Sequence, residues 1–248
     1  MTADPQQSPK IGIVIPAFNE AVSIGAVITS LRTQFNYIVL VVDDCSDDAT
    51  AAIASLAGAR VLPLTIRLGA WGATQTGIRY LLRQDFELVA TLDADGQHEP
   101  DSLPALLDPV LAGTADVAIG SCTERGSRLR LLAWMMMKTA SGLRIEDITS
   151  GFRVYNRAAL VQLSDWRATL LDYQDVGVLL RLQAAGLTLL DVPIPMQNRR
   201  AGGSRIFHSW LVVGLYMLQT LMLGISKRGL GRSGDGPTLG AAQTRGKA

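Results

Sequence analysis

Two short apolar runs joined by one amphipathic stretch constrain this chain more than any other feature. Ile11-Gly12-Ile13-Val14-Ile15 reads as a buried strand that stops at Pro16, where a continuing ladder would lack a donor. Ile24, Val27, Ile28 and Leu31 then recur at helical spacing, with Ser23 in the first turn, and Tyr37–Val42 reads as a second strand. Strand, helix and strand with short links make a right-handed crossover, which requires a parallel sheet. The pattern continues through a strand over 61–66, a helix from the small-residue stretch 68–77 to about Arg83, and a strand over 88–92. Leu103–Leu111 reads as a helix after Pro100, and Asp116–Gly120 as a further strand. The fold expected is α/β, one domain around a mostly parallel central sheet.

Composition narrows the function classes. With 248 residues, 48% of them hydrophobic, the chain buries one good core. A formal net charge of +1 without a basic block argues against nucleic acid as the main partner. Cys45 and Cys122 match no metal spacing, and they read as two small buried hydrophobes in a reduced, cytosolic chain. Residues 1–9 are polar, carry Pro5 and Pro9, and read as a flexible lead rather than a secretory signal. The glycines at 69, 72 and 77 follow neither the dinucleotide fingerprint nor a Walker loop, which speaks against hydride transfer and ATPase chemistry. They serve either close helix–sheet packing or the approach of an anion to a helix start.

The chemistry concentrates where strands end. In open parallel sheets ligands sit beyond the carboxyl ends of the strands, so Pro16–Glu20, Asp43–Asp48 and Asp93–His98 should converge on one crevice. Carboxylates gathered there repel one another unless a cation or a hydrogen-bonding ligand engages them. If extended backbone holds through Asp95, alternation puts Asp93 and Asp95 on one face with Gln97 next in line. Two carboxylates and an amide oxygen form a hard-oxygen set suited to Mg²⁺ or Mn²⁺ that also holds phosphate oxygens. Asp-Ala-Asp-Gly is equally the composition of a simple strand-to-turn junction.

Taken together, Ile15-Pro16-Ala17-Phe18-Asn19-Glu20, Val42-Asp43-Asp44-Cys45-Ser46-Asp47-Asp48-Ala49-Thr50, Leu92-Asp93-Ala94-Asp95-Gly96-Gln97-His98 and Thr149-Ser150-Gly151-Phe152-Arg153 resemble family 2 glycosyltransferases. The branch resembled is that of dolichyl-phosphate mannosyltransferase and its bacterial polyprenyl-phosphate relatives, over roughly residues 11–206. The resemblance implies a single Rossmann-like, A-type glycosyltransferase domain, a nucleotide-diphosphate sugar as donor, and Mg²⁺ or Mn²⁺ as cofactor. It places Pro16, Phe18, Glu20 and Asp43 or Asp44 around the nucleoside. Asp93, Asp95 and Gln97 then hold metal and diphosphate, and inversion at the anomeric carbon is the implied outcome.

The second half should bind the acceptor. Arg125, Arg128 and Arg130 follow the strand ending near Ser121 and read either as a solvated basic turn or as a bidentate grip on an acceptor phosphate. The resembled family commonly has arginine after the Gly-Ser pair, where this chain has Cys122, and that departure weakens the phosphate reading. Trp134–Lys138, with its run of methionines, reads as a packed or lipid-facing helix. From Leu171 a helix is expected, with Val176, Leu179, Leu180 and Leu182 toward a core and Asp172 near its start. Asp175 is either a first-turn acid favoured by the helix dipole or, by resemblance, the general base of hydroxyl-acceptor enzymes. Arg199, Ser204 and Arg205 resemble a mobile loop that closes over the diphosphate, with the arginines stabilising the leaving group.

Residues 206–226 carry no formal charge between Arg205 and Lys227-Arg228. Such a segment spans a bilayer, lies in its interface, or packs on a partner or second copy, and the interface is the expectation for 206–228. Residues 229–248 should be disordered. The domain plan is thus lead 1–9, catalytic domain 10–205, apolar helix 206–228 and tail 229–248. The function expected is metal-dependent sugar transfer to a polyprenyl phosphate by a cytoplasmic enzyme peripheral to the inner membrane face. Its rivals are the same donor chemistry on a glycan or other hydroxyl, and a non-catalytic nucleotide-binding membrane adaptor.

Overall fold

The computed structural model describes residues 9–122, 145–147, 150–169 and 176–196. Within them the elements run β1 (Ile11–Ala17), α1 (Ile24–Gln34), β2 (Ile38–Asp43), α2 (Thr50–Leu56), β3 (Arg60–Pro63), α3 (Gly69–Leu82) and β4 (Leu88–Thr91). There follow α4 (Leu103–Leu111), β5 (Val117–Ser121), β6 (Arg153–Tyr155), α5 (Arg157–Ser164), α6 (Val176–Ala184) and β7 (Leu189–Pro193). The seven strands form one sheet in the order β3-β2-β1-β4-β6-β5-β7. All pairings are parallel except those of β6, which runs antiparallel to β4 and β5.

Strand alternation divides the core into two layers. Val14, Leu40, Val42, Val89, Val117 and Ile119 face α3, α5 and α6, whereas Ile13, Ile15, Val39, Val41, Ala90 and Val154 face α1, α2 and α4. On α1 the expected stripe, Ile24, Val27, Ile28 and Leu31, is buried, each such side chain being worth about 1.5–3 kcal/mol. Helix α3 lies close to the sheet because Gly77 has no side chain: a Cβ there would stand 2.5 Å from Val14 Cγ1. Packing is therefore what this glycine serves. Gly69, by contrast, has φ +77° at the first residue of α3, with nothing within 4 Å of an added Cβ.

Several expectations need correction. β1 does not stop at Pro16 but runs to Ala17. Ala17 O accepts from Asp44 N on the β2 side, so the missing N–H of Pro16 points the other way, where β4 has already ended at Thr91. β3 is shorter than expected, ending at Pro63. Cys122 is buried but Cys45 is exposed, because it sits in a loop with φ +62° rather than on a core-facing strand. β6 was not anticipated from periodicity, since three residues carry too little pattern.

Among the described residues no helix is long and apolar enough to cross a membrane. The 206–228 helix, the 229–248 tail, the 134–138 methionine run and most of the 1–9 lead lie outside the described residues.

Candidate active site at the carboxyl edge of the sheet

The carboxyl ends of β1, β2 and β4 lie side by side, as the β1–β2 and β1–β4 registers require. Much of the acid-rich 43–48 stretch is used to stitch loops together. Asp44, 2% exposed, accepts from Leu68 N at 2.6 Å and Gly69 N at 2.9 Å, so its charge ties β2 to the N-terminal end of α3. Asn19 N donates to Ser46 Oγ and Asp47 N to Asn19 Oδ1, both at 3.0 Å. Glu20 N donates to Thr50 Oγ1 at 2.8 Å and Ala21 N to Asp48 Oδ2 at 3.2 Å. Thr50 also donates through N and Oγ1 to Asp48 Oδ1. Burial, the largest single influence on Asp48, acts to raise its pKa; the hydrogen bonds from Thr50 and Ala21 together outweigh it and hold the carboxyl below the ordinary aspartate value.

Asp43 is the exception in this stretch. It is 6% exposed, and among the described residues its Oδ1 has no hydrogen-bond partner. A buried, unsatisfied carboxylate oxygen is costly, and a hydrogen-bond donor brought to it would offset that cost. Phe18 lies nearby on the β1–α1 turn, with the Arg67 guanidinium 3.8 Å from its ring centroid, so an aromatic and cationic surface borders this region.

At the end of β4 the backbone departs from the expectation of extended chain through Asp95. The strand ends at Thr91, and Ala94 and Asp95 form a turn that Gly96 permits with φ +74°. Strand alternation therefore does not set the Asp95 direction; Asp95 Oδ1 instead accepts from Gln97 N at 3.0 Å. Asp93 is placed by the opposing segment. Thr91 Oγ1 donates to Gly151 O at 2.8 Å, and Gly151 packs so tightly on Asp93 that an added Cβ would stand 2.3 Å from Oδ1 and 2.6 Å from Oδ2. On its other side, His98 Nδ1 lies 3.7 Å from Asp93 Oδ2. A cavity of about 20 Å³ next to Asp93 is lined by Pro16, Trp71, Thr74, Arg153 and Tyr155 among others.

Pro16, Phe18, Glu20, Asp43, Asp44, Asp93, Asp95 and Gln97 thus fall on the ends of β1 and β2 and the loops that follow β1, β2 and β4, at one edge of the sheet. Arg125, Arg128, Arg130, Asp175, Arg199, Ser204 and Arg205 lie outside the described residues. Periodicity and spacing gave no role to Gly151, His98 or Arg153. Arg153 is 4% exposed and starts β6 opposite Thr91, and its place on the wall of the cavity it shares with Asp93 is visible only once β6 is inserted. Among the described residues no three His, Cys, Asp or Glu side chains cluster to hold a metal. Two carboxylates and an amide suit a dication that takes its remaining ligands from phosphate and water rather than from an all-protein cage. The slot left by Gly151 for the Asp93 carboxylate fits that chemistry.

Glucosyl-3-phosphoglycerate synthase from Mycobacterium tuberculosis, in complex with Mn²⁺, uridine-diphosphate-glucose and phosphoglyceric acid, superposes with a TM-score of 0.61 at 20% identity, covering 89% of this chain and 79% of that one. Residues 12–163 match the family described as Glycosyl transferase family 2. Undecaprenyl-phosphate mannosyltransferase of Micrococcus luteus is 30% identical over 233 residues, which are 87% of this chain and 94% of that one. Polyprenol monophosphomannose synthase of Mycolicibacterium smegmatis is 33% identical over 213 residues, 78% of this chain and 80% of that one. The chain belongs to glycosyl transferase family 2, and it is a glycosyltransferase.

Proposed function

We propose that the protein transfers a sugar, with inversion, from a nucleotide-diphosphate sugar to a polyprenyl phosphate at the cytoplasmic face of the membrane. The observation that carries the donor half is the convergence at one sheet edge of the Asp93–Gln97 loop and Asp43, whose buried Oδ1 has no partner among the described residues. In this reading Asp43 accepts from the nucleoside, and Pro16, Phe18 and Glu20 border it. Asp44 acts from behind by fixing the start of α3. Asp93, Asp95 and Gln97 would hold Mg²⁺ or Mn²⁺, which when bound neutralises the diphosphate as the leaving group gathers charge. Arg199, Arg205 and Ser204 would engage the diphosphate as the 199–205 loop closes and excludes water.

The acceptor half rests on the two bacterial relatives, whose names are those of enzymes acting on undecaprenyl phosphate and polyprenol. A phosphate nucleophile is already anionic, so it needs positioning by cations such as Arg125, Arg128 and Arg130 more than it needs a base. The uncharged 206–226 segment suits a helix in the lipid interface that brings the site to its substrate.

A hydroxyl acceptor is the second reading, supported by the presence of phosphoglyceric acid in the structural neighbour; Asp175 would then deprotonate it. Asp175→Asn separates the two. Turnover within about threefold of wild type supports the phosphate, whereas a loss of about 10²-fold or more supports the hydroxyl. The donor half is tested by melting temperature in a panel of nucleoside diphosphates with and without Mn²⁺. A Mn²⁺-dependent rise in the wild type that Asp95→Ala abolishes is expected, since a ligand bound only by the native state stabilises it. No rise with any nucleotide contradicts it.

A further inference from the structure

The imidazole of His98 is unexplained by the fold. Its side chain is 1% exposed, and among the described residues neither ring nitrogen has a hydrogen-bond partner. A neutral imidazole carries one N–H donor and one lone pair, and burying both unused is costly. The ring is nevertheless held firmly. It packs tilted against Phe152 with centroids 5.3 Å apart, and the backbone of residue 98 bridges to that of Met196. Leu or Phe would meet these packing demands without a polar cost, so packing alone does not call for histidine.

Asp93 Oδ2 lies beside the ring, 3.7 Å from Nδ1. That is beyond hydrogen-bond distance, but an approach of roughly 0.8 Å would make one. Gly151 bounds the same carboxylate, leaving no room for even a methyl group beside it. Asp93 therefore sits in a slot between a glycine and a histidine, with its side chain 43% exposed toward the sheet edge.

We infer that His98 is a positioning residue: its Nδ1–H engages Asp93 Oδ2 and arrests the carboxylate in the orientation in which it serves as a metal ligand. Hydrogen bonds from outer groups orient ligand carboxylates and raise metal affinity, typically by 10- to 100-fold. The inference rests on the donor-and-metal reading above and adds to it a residue behind the ligand. It also accounts for the choice of nitrogen. Asn at this position carries its amide nitrogen where Nδ1 stands, whereas Leu offers shape without a donor.

The test is a titration of Mn²⁺ into the full chain with a saturating nucleoside diphosphate, followed by electron paramagnetic resonance, alongside the melting temperature. His98→Leu should weaken Mn²⁺ binding about 10- to 100-fold while the melting temperature stays within a few degrees. His98→Asn should recover affinity to within about threefold of wild type. Should His98→Leu fail to fold, His98→Asn decides alone: near-wild-type affinity supports the assignment, and an affinity as weak as that of Asp95→Ala overturns it. A folded His98→Leu with wild-type Mn²⁺ affinity also overturns it, leaving the donor reading intact. If the wild type binds no Mn²⁺, the donor-and-metal reading itself fails and the role of His98 falls with it.

Discussion

Gly151→Ala isolates the link between fold and chemistry. The added Cβ would stand 2.3 Å from Asp93 Oδ1, where comfortable nonbonded carbon contacts are about 3.5–4.0 Å. The carboxylate must therefore move by about 1 Å, because Gly151 is fixed by the Thr91 Oγ1 bond to its carbonyl. A misplacement of that size in a reacting assembly costs about 10²-fold in rate, or about 2.7 kcal/mol of transition-state stabilisation. Overpacking costs about 1–3 kcal/mol in stability. The lower end applies here because Asp93, 43% exposed in its side chain, can swing outward, so the melting temperature should fall by only about 2–4 °C. Steady-state sugar transfer and thermal unfolding on the same preparation separate the two effects. In an Asp93→Ala background the alanine at 151 has space, so its stability cost should vanish, a coupling that a double-mutant cycle reads directly. Turnover of Gly151→Ala within threefold of wild type, or an undiminished stability cost without Asp93, would refute the slot as the reason for this glycine.

The remaining predictions concern the acidic loops. Asp44→Asn should cost about 2 kcal/mol, because an amide cannot accept from both Leu68 N and Gly69 N, lowering the melting temperature by about 4–8 °C with little change in donor KM. Asp43→Asn should do the reverse, with unfolding within about 2 °C of wild type and donor affinity about tenfold weaker, since its Oδ1 has no partner among the described residues. For Asp48, whose folded pKa is depressed, the unfolded chain binds the proton more readily. The stability this group contributes is thus present above about pH 4 and lost as pH falls through the lower folded value. Asp48 is exposed, so solvent screening limits the effect to under about 1 kcal/mol. Asp48→Ala should flatten that part of the acid-unfolding profile, and a profile identical to wild type would remove the role given to its bonds with Thr50 and Ala21.

The first half of the fold was legible because its periods are clean. Four isoleucine, valine and leucine positions on α1 share one face, and β2 is buried from its second residue onward. What the sequence concealed depends on partners far along the chain. Asp44 looks like any acid at a strand end until Leu68 N and Gly69 N arrive 24 and 25 residues later. Alternation would carry Asp95 onto the Asp93 face of a continuing strand, but Gly96 at positive φ makes a turn there. Gly151 carries no local signal of its own, since the atoms it must avoid belong to Asp93, on a loop that β6 brings alongside by pairing with β4. The motif order revealed the family more readily than its geometry, because spacing records which loops meet and says little about which atoms they offer.

The most direct measurement is the metal dependence of lipid-linked product formation. The full chain is incubated with labelled nucleotide-diphosphate sugars and a polyprenyl phosphate in detergent, with Mn²⁺ or with chelator. The account predicts label in the lipid fraction with Mn²⁺, and a fall of about 10²-fold or more with chelator or in Asp95→Ala. Equal transfer with chelator, undiminished by Asp95→Ala, would contradict it.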